Sequence, residues 1–208
     1  MPIKIDVEAR EEAKARKLGA CLLEDGKTWV IPDELDHINK FKPWLPCEEG
    51  FLVKRPYFVV RARMPCYKCK KETTVVALGA KVAQEAAFRR GDTLTWKKWD
   101  VPILFDDVEY VDDEVVESLQ DYYPFFKYKR VRALGQKIWG NACMHCGAMQ
   151  EEDDEFRYEA NALRPGTIKA AREVRLIYFK LNFDYYIQAC WSYDPFFNEF
   201  VLGESMDK

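Results

Sequence analysis

The sequence predicts an α+β fold in two parts, a small β-α-β-β-α module over residues 1–47 and a β-rich domain over residues 55–203. Three observations predict it. Hydrophobic residues make up 48% of the chain and aromatic residues 14%, which argues against disorder and suits a sheet core where rings and β-branched side chains pack. After Arg55 the pattern alternates with period two, as half-buried strands require. Before it, strand, helix and turn signals follow one another closely. At 208 residues the chain can bury one main core with a small satellite.

In the first part, IKIDV (residues 3–7) has the pattern of a short strand, and REEAKARKLG (10–19) that of a helix stopping at Gly19, a suitable left-handed cap. ACLLEDGKTWVIP (20–32) predicts a hairpin turning at Asp25-Gly26. A short helix from Pro32 or Asp33 through Phe41 closes the unit at Pro43, Trp44, Leu45 and Pro46. So small a module needs support from the rest of the chain.

In the second part, RPYFVVRARM (55–64) places Phe58, Val60, Ala62 and Met64 on one face and Tyr57, Val59, Arg61 and Arg63 on the other, the pattern of a half-exposed strand. Further strands are expected over ETTVVALGAKVA (72–83) and TWKKWDVPILF (95–105), then a helix over residues 113–122 with acids in its first turn. Residues 126–139 return to strand. FRYEA (156–160) and residues 174–193 suggest a final hairpin, preceded by a short helix over 167–173. Beyond Gly203 fraying is expected.

The chain has seven cysteines, four of them in two C-x-x-C pairs: Cys66 with Cys69, and Cys143 with Cys146. Two such pairs match a structural Zn2+ site, because zinc takes four thiolates in a tetrahedron and a two-residue spacer lets one turn supply two of them. Gly147 permits the tight backbone of the second turn. The segment between the pairs far exceeds the roughly 15–20 residues of a compact ribbon, so the expected domain is zinc-ribbon-like with a long insertion. Cys21, Cys47 and Cys190 read as lone buried thiols. His145 sits between better-spaced cysteines and is expected to be exposed. Four cysteines leave no open coordination position, and the H-E-x-x-H, P-loop, deaminase and dinucleotide fingerprints are missing, so no enzyme is expected.

Two resemblances accompany these readings. Ala13, Lys14, Leu18, Gly19, Ala20, Lys27, Trp29, Pro32, Trp44, Leu45 and Pro46 make the first part similar to a short domain of plasmid-type DNA primases and bacterial mobile-element proteins. Where that family carries Trp-Asp after Gly-Ala, this chain has Cys21 and Leu22. Cys66, Cys69, Lys71, Thr73, Val75, Ala77, Leu78, Asn141, Cys143, Cys146, Gly147 and Gln150 resemble an uncharacterised bacterial zinc-ribbon family. The resemblances imply a mobile-element context and no particular reaction.

Net charge is -3, which gives no overall basic signature, yet the charge is segregated. Residues 54–71 and 127–137 are basic, while 100–121 and 151–155 are acidic. Tyr57, Arg61, Arg63, Lys68, Lys70, Lys71, Lys127, Lys129, Arg130 and Arg132 are candidate contacts for single-stranded DNA or RNA, because cations track phosphates while rings such as Tyr128 and Trp139 stack bases. The rival partner is a host or element-encoded protein docked through the acidic segment 100–121. There is no signal-peptide core and no run of about 18 apolar residues, so a cytoplasmic protein without a membrane partner is expected.

Overall fold

The structure is a computed structural model that describes residues 2–31, 35–46, 49–89, 93–158, 161–181 and 183–192. Strand outweighs helix, 48% to 22%, and the two are largely segregated rather than alternating, which makes the class α+β.

The first part follows its local signals. Strands β1 (Ile3–Ile5), β2 (Cys21–Leu22) and β3 (Trp29–Ile31) form an antiparallel sheet in the order β1-β3-β2. Helix α1 (Glu12–Leu18) ends at Gly19, whose φ of 106° lets its N–H reach back to the Ala15 and Arg16 carbonyls. The Asp25 carboxylate ties the hairpin turn by accepting from the Lys27 and Thr28 amides, both at 2.9 Å. Pro32 and Asp33, the expected start of the second helix, lie outside the described residues; beyond them a 3-10 helix runs over Leu35–Trp44. Ile5, Trp29, Ile38 and Trp44 pack together and onto Leu52, Ala86 and Tyr186 of the second part, so the module's core is completed by its neighbour.

That neighbour is built on one long hairpin. Strands β4 (Gly50–Pro65) and β5 (Glu72–Arg89) pair from Gly50↔Ala86 to Pro65↔Glu72, with a register break between Lys54 and Tyr57. Strands β6 (Thr93–Trp99), β7 (Ile103–Val111), β8 (Phe126–Val131), β9 (Gln136–Asn141) and β11 (Tyr185–Ser192) extend it in the order β6-β5-β4-β11-β7-β9-β8, and β10 (Arg175–Phe179) pairs with β4 off that path. A further pairing of β7 with β5, Leu78↔Phe105 to Ala80↔Ile103, closes β5, β4, β11 and β7 into a barrel-like ring. Gly79 allows that closure: a Cβ there would lie 2.3 Å from the Phe58 ring and 3.0 Å from the Ile103 carbonyl oxygen.

Three expectations are corrected. The segment TWKKWDVPILF is two strands, β6 and β7, because Asp100, Val101 and Pro102 turn the chain between them. Residues 174–193 are no hairpin: β10 pairs with residues 57–61 of β4 and β11 with residues 51–53, so they run end to end along the same strand. Phe156 and Arg157 belong to a short helix, α3 (Asp154–Tyr158), whose Phe156 covers one face of β4 together with Leu163 and Val174, which flank α4 (Ile168–Ala171) in the chain. Phe58, Val60 and Ala62 are therefore buried against Phe156, Leu163 and Val174. On the other face Tyr57 and Val59 are buried with Leu78, Phe105 and Tyr185. The alternation holds, but β4 has core on both sides over residues 57–60 instead of one exposed face.

Helix α2 (Asp113–Tyr122) occupies its expected range, with Val115, Val116 and Leu119 buried. Two buried acids dock the first part to the second. Asp184 takes Lys54 at 2.9 Å and donates its amide to the Pro2 carbonyl, while Asp112 takes Lys4 at 3.1 Å. Among the described residues no helix is long and apolar enough to cross a membrane.

Candidate metal centre

The two C-x-x-C units fold alike. The turn that joins β4 to β5 holds Cys66 and Cys69; the turn that follows β9 holds Cys143 and Cys146. In the first, Cys66 N donates to the Lys71 carbonyl at 2.9 Å and Lys70 N to the Cys66 carbonyl at 2.9 Å. In the second, Cys143 N donates to Ala148 at 2.8 Å and Gly147 N to Cys143 at 2.9 Å. The equivalent residues Lys70 and Gly147 have φ of 59° and 70°, so each turn needs a left-handed residue one place after its second cysteine.

These turns face each other. All four sulfurs lie within 4.8 Å of one another, and this is the only such group of His, Cys, Asp or Glu ligand atoms among the described residues. Cys66 Sγ is 3.7 Å from Cys146 Sγ, and Cys69 Sγ is 3.7 Å from Cys143 Sγ. A tetrahedral ion with metal–sulfur bonds of about 2.3 Å requires sulfur–sulfur edges of about 3.8 Å. The donors present therefore fit a four-thiolate metal ion.

The electrostatics favour thiolate at the first cysteine of each turn. Burial raises the Cys143 thiol, but the Cys146 and His145 amides and the adjoining thiols of Cys66 and Cys146 bring it down to about 6. Cys66 is lowered in the same way: burial opposes, and the Cys69 and Lys68 amides and the Gln150 side chain prevail. Without a metal four sulfurs this close cannot all ionise, and Cys69, although the Lys71 amide favours its thiolate, is pushed up to about 11 by burial and the neighbouring thiols.

Around the sulfurs stand residues that lock the turns. Gln150 donates Nε2 to Cys66 Sγ at 3.6 Å and to the Ala148 carbonyl at 2.9 Å, touching both units at once. Thr73 Oγ1 accepts from Met144 N at 3.2 Å, and Asn141 pairs with both backbone groups of Val76, at 2.7 and 2.9 Å. His145 Nε2 pairs with the Glu72 carbonyl at 2.9 Å, so its ring is turned to the backbone rather than to the sulfurs. Cys21 and Cys190 are exposed instead of buried; Cys47 lies outside the described residues.

The candidate nucleic-acid contacts fall on three separate elements. Tyr57 is fully buried and gives its hydroxyl to the Phe183 carbonyl, so it is a core residue and not a stacking platform. Arg61 is half-buried opposite Arg175 on β10, and Arg63 is exposed with Glu72 at 3.4 Å. Lys68, Lys70 and Lys71 are exposed on the first cysteine turn. Lys127, Lys129, Arg130 and Arg132 are exposed on β8 and the turn after it. Cross-strand pairing puts Tyr128 and Arg130 on one face with Trp139 and Lys137, with the Tyr128 and Trp139 rings 5.4 Å apart and Lys137 Nζ 6.0 Å from the Tyr128 centroid. Several acids of segment 100–121 face inward: Asp106 opposes Arg164, Asp107 opposes Arg157, and Asp112 is buried.

Comparison with protein-family models, with curated proteins and with solved structures finds no match for this chain.

Proposed function

We propose that this is a non-enzymatic structural-zinc protein of zinc-ribbon type that binds single-stranded nucleic acid. The observation that carries the zinc reading is the pair of 3.7 Å sulfur–sulfur edges, which match a four-thiolate tetrahedron. Four thiolates fill the coordination sphere, leaving the metal no position for water or substrate. Its work is then mechanical: it ties the tip of the β4–β5 hairpin to the end of β9. A thiolate site of this kind belongs in a reducing compartment, which supports the cytoplasm.

The nucleic-acid reading rests on the β8–β9 hairpin, where exposed Tyr128 shares a face with Arg130, Lys137 and half-buried Trp139. Rings flanked by cations suit a single strand. Docking of a protein through segment 100–121 is less favoured, since several of its acids are engaged by internal arginine and lysine partners. The resemblance of residues 1–47 to the primase-associated domain supports a bacterial mobile-element or phage context.

Elemental analysis of natively purified protein is expected to show one zinc per chain, with Cys146→Ser falling well below that and unfolding at lower temperature. Zinc clearly below one per chain, or unchanged stability of the variant, overturns the metal reading. Fluorescence anisotropy with a labelled oligothymidylate is expected to show binding that weakens as salt rises. Replacing Arg130 and Lys137 with Gln should reduce the slope of log K against log salt by about 1.4, at ~0.7 for each phosphate contact on a single strand. Binding that is absent at low salt, or indifferent to salt, removes the nucleic-acid reading and leaves the metal reading intact.

A further inference from the structure

Past the core, the face of β4 that carries Tyr57 and Val59 continues as Arg61 and Arg63. The strand pairing sets Arg61 directly opposite Arg175, the first residue of β10. Residues paired this way in antiparallel strands project to the same side with Cβ atoms about 5 Å apart, and like charges so placed repel. On the other flank of Arg61 stands Val76 of β5, and opposite Arg63 stands Thr74. The row therefore runs Arg175, Arg61, Val76, with no acid in it.

The rest of the protein does not offset this pair. Arg63 reaches Glu72 at 3.4 Å, but among the described residues no hydrogen bond or ion pair engages Arg61 or Arg175. Arg61 is half-buried as well, so it has given up part of its hydration. The inward-facing acids go to other cations: Asp106 and Asp107 to Arg164 and Arg157, Asp112 and Asp184 to Lys4 and Lys54. Two guanidinium groups side by side without a carboxylate cost the fold stability, and they are also the arrangement that grips an oxyanion.

The three arginines line one groove, of about 650 Å3, where β10 begins. Other parts of its wall are small and apolar, from Ala62, Ala162, Pro165 and Ala170. Asn161 lines it too, but its side chain is engaged in the loop: Oδ1 accepts from the Leu163 and Arg164 amides at 2.8 and 3.2 Å, and Nδ2 donates to the Phe156 carbonyl at 2.7 Å. Among the described residues Glu173, which is exposed, is the one acid in the lining. Three guanidinium groups thus face one carboxylate.

We infer that this groove binds a phosphomonoester, its phosphate bridging Arg61 and Arg175 with Arg63 beside it. A guanidinium fork takes two oxygens of an oxyanion side by side, so two forks are served best by a group with three free oxygens. A phosphomonoester has three, with a charge of about -1.5 to -2 that offsets both arginines. A phosphodiester within a strand, like a carboxylate, has two free oxygens and one charge and leaves one arginine unmatched. The volume falls within the roughly 300–1,000 Å3 of small-molecule sites and leaves room for the sugar or other group that carries the phosphate. The inference depends neither on the zinc reading nor on the β8–β9 hairpin that supports the nucleic-acid reading.

The probe is thymidine 5′-monophosphate, and the control is its methyl phosphodiester, which keeps base and sugar but carries one charge. Calorimetry on the natively purified full chain at pH 8 is expected to show saturable one-to-one binding of the probe, weakened about tenfold for the control and in Arg175→Gln. Arg175 is exposed and its replacement removes a like charge, so without ligand the variant should melt no lower than the wild type, while the probe should raise the melting temperature of the wild type alone. A second pair of probes separates two sources of the phosphate. A 5′-phosphorylated oligothymidylate that binds the wild type, but not Arg175→Gln, more tightly than its 5′-hydroxyl form assigns the site to a strand end; two strands that bind alike, beside a mononucleotide that binds as expected, assign it to a free phosphorylated ligand. No saturation at millimolar probe, equal affinity for the methyl phosphodiester, unchanged affinity in Arg175→Gln, or a variant that melts well below the wild type each overturns the assignment, and none of them touches strand binding by the hairpin.

Discussion

Replacing Glu151 with Gln should change how stability responds to pH, and the size of that change can be worked from the site. The carboxyl is buried between β9 and the Gln150–Glu152 turn, and it packs against Gly140 so closely that a Cβ there would lie 2.7 Å from both of its oxygens. Burial raises its pKa from 4.5 to about 7; hydrogen bonds from Asn141 and its own amide pull the other way, and Asp107 adds to the rise. An acid whose folded pKa lies above its unfolded one makes the folded state bind the extra proton between those two values. Stability from this group is therefore present below pH 4.5 and is lost as pH rises to about 7. At ~1.4 kcal/mol per pK unit the loss is about 3 kcal/mol. Glutamine cannot ionise. Its amide would leave a donor where Oε2 now lacks a partner, a penalty that does not vary with pH. Urea titrations at pH 5 and pH 8, followed by tryptophan fluorescence, should show Glu151→Gln gaining on the wild type by about 2.5 kcal/mol at the higher pH, since a part of the loss is already incurred at pH 5. Taking the difference cancels the other buried acids and any pH dependence of metal binding. A difference between the two proteins that stays constant over this range would refute an ionisable, buried Glu151.

Two backbone substitutions test the packing. Lys70→Gly should stabilise the protein by ~0.5–1 kcal/mol in thermal melts, because Lys70 holds a φ of 59° that glycine adopts without penalty, partly offset by a freer unfolded chain; a lower melting temperature would contradict the matched geometry of the two cysteine turns. Gly79→Ala should cost ~2–3 kcal/mol in urea unfolding, since the added methyl would meet the fully buried Phe58 ring and the Ile103 carbonyl, and wild-type stability would show that β5 and β7 do not close there.

Much of the chain is legible in local chemistry. Gly19 ends α1, Asp25-Gly26 turns a hairpin, and the acids and apolar spacing of residues 113–122 mark α2, because each signal acts within a few residues. The cysteine quartet is legible for a different reason: a C-x-x-C turn makes half a tetrahedron alone, so two of them imply each other over any separation. Features set by distant partners are not legible. That β10 and β11 run end to end along β4 depends on the length of β4, and that β7 closes on β5 depends on Gly79, neither of which is visible in residues 174–193 or 103–111. The alternation puts Tyr57 on the correct face, but that face is covered by β7, α2 and β11 rather than by water. In the sequence the acids of β7 form a charged segment; Arg157 and Arg164, fifty or more residues later, pair with two of them.

The metal centre and the buried Glu151 carboxylate are joined by consecutive residues, and this gives the long insertion between the cysteine pairs a structural meaning. In the 3-10 turn Gln150–Glu152, Gln150 grips Cys66 Sγ and the Ala148 carbonyl while Glu151 grips Asn141. Asn141 in turn is bonded to Val76 on β5, the strand that leaves the first cysteine turn. A path of hydrogen bonds and one peptide link thus runs from Cys66 Sγ through Gln150, Glu151 and Asn141 back to β5. A metal ion that fixes the two cysteine turns also fixes the turn that carries Glu151, and through it holds a lone acceptor in a place that burial alone would disfavour. Short ribbons use their metal to hold themselves together. Here the residues inserted between Cys69 and Cys143 supply two of the four ring strands, β5 and β7, so the same four sulfurs brace a sheet that extends well beyond them.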